Sequence, residues 1–243
     1  MDRSEEPPPE PLTKPKKKFL SFEWKAWQIG IIVFFTTTLV VRSSILDWSW
    51  IPSDSMSPTI VEGDIILNNK MAYDFRVPFT SWRFYRNDPQ RGDIASFRSP
   101  ENNMGLIKRV IGIPGDTVSM KHGVIFLNGE PMSYHPLPRE LFQDAPPRFF
   151  DHAQFWEELL DDKPHNIMFI PGAPLILRNI PDITVPKGHY FMLGDNRDFS
   201  RDSRMYGFVK RDQFTGQATS VLFSFGLKDK FEPRVDRFFH ALR

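Results

Sequence analysis

The sequence predicts a mainly β protein that is preceded by one membrane-spanning helix and carries one insert. Three observations lead to this fold class: strand-length segments rich in β-branched and aromatic residues, one long apolar run near the amino end, and a proline-rich stretch in mid-chain. A chain of 243 residues is long enough to bury a sizeable core. No repeat with a period of about 20–50 residues is visible, which argues against a solenoid or a propeller.

The amino-terminal part predicts a tail followed by a membrane anchor. Prolines and charged residues dominate residues 1–23, which we expect to be a disordered cytoplasmic tail. The apolar run of residues 24–46 is long enough to cross the ~30 Å hydrocarbon core as a helix. Tryptophans flank the run, as is typical of membrane interfaces: Trp24, Trp27, Trp48 and Trp50. A buried helix of a soluble protein is the alternative.

The charges around the apolar run predict its orientation. Arg42, directly after Val41, is the one basic residue at the carboxyl end of the run. Five lysines precede the run or lie at its start: Lys14, Lys16, Lys17, Lys18 and Lys25. The positive-inside rule then leaves the amino end in the cytoplasm and the rest of the chain outside. A cleaved signal peptide is a further alternative, but residues 42–50 offer no small-x-small cleavage site.

Six segments of the body are predicted to be β-strands, because each is short, apolar and bounded by Gly, Pro, Asp or Asn. They lie at 63–69, 92–97, 105–113, 123–130, 188–196 and 218–225. Helical spacing is limited to residues 151–160 and to the apolar stripe within 231–242. We expect that stripe to dock on its own domain; the alternative is an interfacial helix that rests on lipid.

A proline-rich stretch interrupts the series of predicted strands. We assign residues 130–186 to an insert, so that the core is built from residues 47–129 and 187–243. The insert carries no cluster of titratable residues that would indicate a catalytic site.

Composition excludes several kinds of chemistry. The 31 basic and 30 acidic residues nearly cancel, so we expect no nucleic-acid partner. The absence of cysteine excludes thiolate catalysis, disulfides and cysteine-based metal sites. The six histidines show no ligand spacing such as HExxH, and we expect neither a metal nor a cofactor. Nucleophilic chemistry must therefore come from Ser, Thr or Lys.

Three segments contain the residue types that such chemistry needs. The first is PSDSMSPTI at 52–60, a serine-rich turn just beyond the anchor. The second is IKRVIGIPGD at 107–116, in which Lys108 interrupts an apolar strand. The third is LGDNRDFSRDSR at 193–204, where acidic and basic residues surround two serines. Each segment alone is ordinary: a turn, a solvent-facing lysine and a charged loop.

Lys108 connects the three segments chemically. A lysine in such a strand usually faces solvent, but the apolar neighbours of Lys108 allow a desolvated amine, which is more easily neutral near neutral pH. A neutral amine can accept the proton of a serine hydroxyl, so no histidine is required. Ser200 offers a hydroxyl that could orient this amine, and the Asp–Arg pairs of the third segment would keep its loop rigid.

Four motifs in this order, behind an amino-terminal anchor, resemble the type I signal peptidases: PSDSMSPT, RGDIASF, KRVIGIPGD and GDNRDFSRDSR. The resemblance implies that Ser55 is the nucleophile and Lys108 the general base. It further implies that Ser53 completes an oxyanion hole with the Ser55 amide and that Ser200 orients the lysine. The residues expected to support the site structurally are Asp202, Arg204, Asp195 and Arg109.

The resemblance also implies an antiparallel β catalytic core with a second β region inserted before the GDNRD motif. Substrate pockets for small residues are expected beside Met56, Ile60 and Ile107. Two positions depart from the family pattern: Asp54 stands where glycine is frequent, and Phe199 where asparagine is common. We expect the Asp54 side chain to face solvent.

The activity implied is that of a membrane-bound serine endopeptidase that removes signal peptides from exported preproteins by cleaving after Ala-x-Ala. Its expected partners are signal peptides, the lipid bilayer and the secretion translocon. The expected location is a bacterial inner membrane, with the catalytic domain in the periplasm. One alternative is a catalytically silent membrane protein that binds signal peptides or acts as a scaffold. Another is a self-cleaving repressor-type or conjugation-pilin protease with the same dyad.

Overall fold

The computed structural model describes residues 18–80, 82–145, 147–226 and 231–242, and the chain divides into two compact units, Met1–Val40 and Val41–Arg243. Helix α1 spans Lys18–Ser44. Its segment Trp24–Ser44 has a mean hydropathy of 1.4, is not buried, and is the one helix of the described residues long and apolar enough to cross a membrane. The predicted disordered tail lies outside the described residues up to position 17, and its last part, residues 18–23, is instead the first part of α1.

The second unit is built mainly from short β-strands. In chain order they are β1 (Leu46–Trp50), β2 (Asp64–Asn69), β3 (Asp74–Arg76), β4 (Arg83–Tyr85), β5 (Ile94–Arg98), β6 (Gly105–Gly112), β7 (Thr117–Lys121), β8 (Val124–Leu127), β9 (Glu130–Pro131), β10 (Ser133–Leu137), β11 (Gln154–Leu160), β12 (Lys163–Phe169), β13 (Ile180–Thr184), β14 (His189–Leu193), β15 (Val209–Lys210), β16 (Phe214–Gly226) and β17 (Glu232–Pro233). Two helices of a single turn accompany them, α2 (Pro147–Phe150) and α3 (Ser203–Tyr206). Short 3-10 turns lie at Lys70–Ala72, Arg139–Phe142, Leu175–Arg178, Arg211–Gln213 and Val235–Arg237. The prediction of a mainly β fold behind an apolar helix is confirmed.

An antiparallel sheet with the order β1-β2-β16-β5-β6-β14-β15 forms the centre of this unit, and β17 pairs with β16. All six predicted strands are present, as β2, β5, β6, β8, β14 and β16. Strand β6 lies inside the sheet, where Ala95 of β5 is opposite Lys108 and Leu193 of β14 is opposite Arg109. The ladders on both sides of β6 therefore fix the backbone of the predicted base.

Smaller sheets surround the central one. Strands β10, β11 and β12 form a three-stranded sheet within the predicted insert, β13 joins β7, β8 and β9, and β3 pairs with β4 in a hairpin. The helix expected at 151–160 was wrong, because these residues contain strand β11. This strand pairs on both sides, with β10 and with β12, so inter-strand hydrogen bonds satisfy its backbone and override the helical spacing of its apolar residues.

The apolar stripe within 231–242 is also not a helix. It contains the short strand β17 and a 3-10 turn at Val235–Arg237, and Pro233 lacks the amide that a helix would need. The stripe nevertheless docks on its own unit. Phe238 packs its ring edge-on against Phe223 at a centroid distance of 5.3 Å, whereas Phe239 remains largely exposed.

Two buried clusters position the predicted site. One contains Met56 and Ile60 from the predicted nucleophile turn, packed with residues of β2, β5 and β16. The other lies around Phe97 of β5, with Val110 of β6 and Phe214 of β16 among its members. Apolar burial thus holds both the serine-bearing turn and the lysine-bearing strand against one sheet.

We expect Phe97→Ala to destabilise this unit by about 3–5 kcal/mol, because the ring is 1% exposed and packs against the ring of Phe214 at 5.9 Å. Thermal unfolding of the full chain in detergent, followed by circular dichroism, measures the loss. Phe84→Ala removes a ring that is 56% exposed and is the matched control. Equal unfolding temperatures for the two variants would contradict the prediction.

Candidate active site

Ser55 lies in a tight turn that the core anchors. The Ser57 amide donates to the Asp54 carbonyl at 3.1 Å, and the Ile60 amide donates to the Met56 carbonyl at 2.9 Å. Met56 and Ile60 are buried, whereas Ser55 is half-buried. The turn therefore presents a partly accessible hydroxyl on a backbone that cannot easily move.

Lys108 reaches this hydroxyl from β6. Its Nζ atom donates to Ser55 Oγ at 2.6 Å and to the Ile107 carbonyl at 3.0 Å. The side chain is 3% exposed. Burial lowers the pKa of Lys108 to about 8, although the negative charges of Asp202 and Asp195 oppose this shift. A substantial fraction of the amine is therefore neutral near neutral pH and can accept the hydroxyl proton across the same contact.

Asp54 does not face solvent, contrary to our expectation. Its side chain is fully buried, and Oδ1 accepts a hydrogen bond from the Glu62 amide at 3.3 Å. The carboxylate is thus used inside the loop that follows the nucleophile turn. A buried carboxylate needs such donors, and the backbone of this loop supplies one.

Asn196 is a residue of the site that sequence reasoning missed. Its Nδ2 atom donates to the Asp54 carbonyl at 3.1 Å, and its amide donates to the Ser55 carbonyl at 3.3 Å. The asparagine thereby ties the loop after β14 to the nucleophile turn. Its place in the GDNRD motif was the available signal, but the motif contains several polar residues and spacing alone does not single out this one.

Gly194 allows that loop to approach Ser55 closely. A Cβ atom built on Gly194 would lie 2.3 Å from the Ser55 carbonyl oxygen and 2.3 Å from Ser200 Oγ. Both distances are far below van der Waals contact, so a side chain at this position would displace the turn or the serine. Glycine is therefore required sterically at the point where the three residues meet.

The two other predicted serines differ in their surroundings. Ser53 is exposed at the start of the turn, and its hydroxyl makes no hydrogen bond with any described residue. Ser200 is buried, and its Oγ atom has no hydrogen-bond partner within the described part of the chain. The structure therefore places Ser200 beside the turn without a hydrogen bond to the Lys108 amine.

Two buried ion pairs flank the lysine. Asp202 receives hydrogen bonds from Arg204 Nε and Nη2 at 2.7 Å each, and from the Gly194 amide at 3.1 Å. Asp195 receives Arg109 Nε at 2.9 Å and Nη2 at 2.7 Å. Burial would raise the pKa of Asp195, but the Arg109 charge outweighs burial and holds this pKa below its usual value. Asp195 is therefore held in its ionised form, and each of the two acids is bound by an arginine.

A third buried pair connects the loop with the three-stranded sheet. Arg197 Nη1 donates to Glu158 Oε2 at 2.7 Å, a second contact joins Nη2 to Oε1, and Arg197 Nε donates to the Gly194 carbonyl at 3.2 Å. Burial opposes ionisation of Glu158, yet the charge of Arg197 and the His165 ring, whose Nε2 lies 3.0 Å from Glu158 Oε1, lower the pKa of Glu158. Two backbone hydrogen bonds complete the connection. The Met168 amide donates to the Asp195 carbonyl, and the Arg197 amide donates to the Met168 carbonyl.

A cleft of about 510 Å³ opens beside the Ser55–Lys108 contact. The three predicted pocket residues, Met56, Ile60 and Ile107, all line this cleft. Ser53 lines it as well. A separate cavity of about 380 Å³ adjoins Arg109 and His165 and contains neither Ser55 nor Lys108. No group of three or more His, Asp or Glu side chains in the described ranges could hold a metal ion.

Known proteins share this sequence pattern. The family model described as signal peptidase, peptidase S26, matches residues 24–223. Signal peptidase I of Pseudomonas aeruginosa is 39% identical, over 83% of this chain and 68% of that protein. Signal peptidase I of Buchnera aphidicola (subsp. Schizaphis graminum) is 33% identical, over 82% of this chain and 75% of that protein. A solved signal peptidase I from Enterococcus faecalis V583 is 30% identical and covers 54% of this chain and 97% of that one, with a TM-score of 0.34.

We expect Glu158→Gln to destabilise the protein by about 3–5 kcal/mol, because it leaves the buried Arg197 guanidinium without its counter-charge. The corresponding fall in Tm is roughly 10 °C, measured by thermal unfolding in detergent. Glu157→Gln is the matched control, since it alters the neighbouring, half-exposed residue of the same strand. An unchanged Tm for Glu158→Gln would show that this ion pair is not needed for stability.

Proposed function

The chain belongs to the signal peptidase, peptidase S26, family, and we propose that it cleaves signal peptides with Ser55 as the nucleophile and Lys108 as the general base. Membership confirms the resemblance that the four sequence motifs carry. It makes the chain a serine endopeptidase that acts on the signal peptides of preproteins. The assignment of the dyad is supported above all by the 2.6 Å contact between Lys108 Nζ and Ser55 Oγ.

The proposed reaction begins when Ser55 Oγ attacks the carbonyl carbon of the scissile peptide bond. Neutral Lys108 takes the hydroxyl proton as the new C–O bond forms, and the carbonyl oxygen becomes an oxyanion. Collapse of this intermediate breaks the C–N bond, and the ammonium group of Lys108 returns its proton to the leaving amine. Water then attacks the acyl carbon while Lys108 takes one of its protons. The ester C–O bond to Ser55 breaks, and Lys108 returns that proton to Ser55 Oγ.

Ser53 is the proposed side-chain donor to the oxyanion, together with the Ser55 amide. Its hydroxyl lines the cleft and has no internal partner among the described residues, so it is available to a substrate. Ser200 is proposed to position the amine of Lys108. A buried hydroxyl without a partner is costly, and a hydrogen bond with the Lys108 amine would give Ser200 such a partner.

Specificity for small residues is proposed to come from the apolar wall of the cleft. Met56 and Ile60 are fixed in the core and Ile107 lies next to the base, so the volume beside the scissile bond cannot expand easily. Alanine side chains would fill such pockets, whereas larger ones would clash. This geometry supports cleavage after Ala-x-Ala.

Membrane attachment is proposed through the Trp24–Ser44 segment of α1, whose length and hydropathy suit a bilayer span. The excess of lysines before the span supports a cytoplasmic amino end and a periplasmic catalytic unit in a bacterial inner membrane. Signal peptides carry an apolar segment of their own, so a shared bilayer would concentrate enzyme and substrate. The secretion translocon is the further partner that this location implies.

We expect Ser55→Ala and Lys108→Ala each to reduce cleavage of an Ala-x-Ala preprotein by about 10³-fold or more, because each removes one half of a unit that acts jointly. Detergent-solubilised full chain and a gel assay of the processed product measure this loss. Ser133→Ala, on an exposed site of β10, should process at the normal rate. Retained cleavage by purified Ser55→Ala would refute the assigned nucleophile.

We expect kcat/KM to rise with pH through a pKa of about 8, since the neutral form of Lys108 is the reactive one. Below that pKa the amine is protonated, and activity should fall about tenfold for each pH unit. A lysine with its ordinary pKa would place the same rise near pH 10.5. The pH profile of kcat/KM, measured with a peptide that does not titrate in this range, distinguishes the two cases.

A further inference from the structure

The catalytic cleft is lined unequally by charge. Asp47 is the one carboxylate that lines it within the described residues, and it is already paired with Arg42 at 2.9 Å and with Lys70 at 3.4 Å. Arg76 and Arg98 line the cleft as well, and neither forms an ion pair with a described residue. The cleft therefore carries two cationic side chains that form no direct ion pair with a described residue.

Arg76 is the more constrained of the two. One of its nitrogens, Nη2, donates to the Phe214 carbonyl at 2.9 Å, and Arg83 donates to the same carbonyl. Arg83 also has Asp74 as an ionic partner, whereas Arg76 has none. Burial lowers the pKa of Arg76, and the like charges of Arg83 and Arg98 add to that effect, whereas the negative charge of Asp74 opposes it. A half-buried cation in this position is stabilised by any anion that enters the cleft.

Arg98 lines the same cleft as Ser55 and Lys108, further along the sheet. Ser96 of β5 is opposite Ile107, the neighbour of the base, and Arg98 follows Ser96 on the same face of the strand. Two residues of a strand span about 7 Å, which is also the length of about two residues of an extended substrate. The Arg98 side chain is exposed, and its one hydrogen bond among the described residues is a long contact to the Asn103 carbonyl at 3.4 Å.

We propose that Arg76 and Arg98 form an anion subsite of the catalytic cleft that binds an aspartate or glutamate side chain of the preprotein near the cleaved bond. The proposal rests on the proposed function, because it takes the occupant of this cleft to be the peptide substrate. A peptide carboxylate fits better than a lipid phosphate, since the two arginines line the same cleft as Ser55 and Lys108. The planar guanidinium groups suit a carboxylate with two acceptor oxygens.

The test compares pairs of cleavable Ala-x-Ala peptides that differ by Asp against Asn at one position flanking the scissile bond. At one such position the Asp peptide should be cleaved with a kcat/KM about three- to tenfold higher than its Asn partner. This ratio should fall toward one in Arg76→Gln and in Arg98→Gln, and also in the wild type as ionic strength increases. Arg86→Gln, which alters an exposed arginine that does not line the cleft, should keep the ratio.

A ratio between the two peptides is independent of the amount of folded enzyme, so partial misfolding of a variant does not imitate the result. Arg98→Glu adds a reversal, because it should favour Lys over Asn at the same position. Asp and Asn peptides cleaved equally at every position by the wild type would overturn the subsite. If the arginine variants instead lose cleavage only when the micelle contains anionic lipid, and equally for the Asp and Asn peptides, the arginines bind a lipid phosphate. This result would also overturn the proposed subsite. In either case cleavage that still requires Ser55 would leave the proposed function intact.

Discussion

Burying a lysine amine costs free energy unless the amine becomes neutral or finds a partner, and this constraint determines the centre of the catalytic sheet. Lys108 contacts one hydroxyl and one carbonyl rather than a carboxylate. A carboxylate in direct contact would hold the proton on the amine, so the nearby acids have to be occupied elsewhere. Asp195 is taken up by Arg109, and Asp202 by Arg204. The two buried ion pairs thus allow acids near the base without converting it into an ammonium ion.

The loop after β14 makes the inserted sheet part of the site, although that sheet supplies no reacting group. Arg197 fixes one side of the loop to Glu158 of β11, and Asn196 fixes the other side to the backbone at Ser55. Gly194 lets the two sides come this close, since any Cβ there would meet the Ser55 carbonyl. A displacement of β11 would therefore be transmitted to the nucleophile through only a few rigid contacts. The insert's contribution is positional, which explains why no catalytic cluster marks it in the sequence.

The sequence predicted those features that depend on local pattern. Six strands followed from short apolar segments between turn residues, and the apolar neighbours of Lys108 along β6 allowed the lowered pKa that its burial produces. The failures involve distant partners. Residues 151–160 have helical spacing, but the backbone of β11 within them pairs with β10 and β12. The buried carboxylate of Glu158 is bound by Arg197, which is 39 positions away in the sequence. The burial of Asp54 depends on the amide of Glu62, and the lack of a hydrogen bond at Ser200 depends on the final position of the loop. No local pattern records either circumstance.

A cationic subsite and a neutral lysine base can share one cleft because their surroundings differ. The charges that act most strongly on Lys108 are those of Asp202, Asp195 and Arg204, all of them buried beside it. Arg98 is exposed, so water and salt screen its charge over roughly 8 Å at physiological ionic strength. An acidic side chain bound at the proposed subsite would be paired with an arginine, so the two opposite charges would largely cancel in their effect on the pKa of Lys108. The cleft can therefore attract a charged part of the substrate while the bond to be cleaved lies in the apolar part, where a neutral amine is retained.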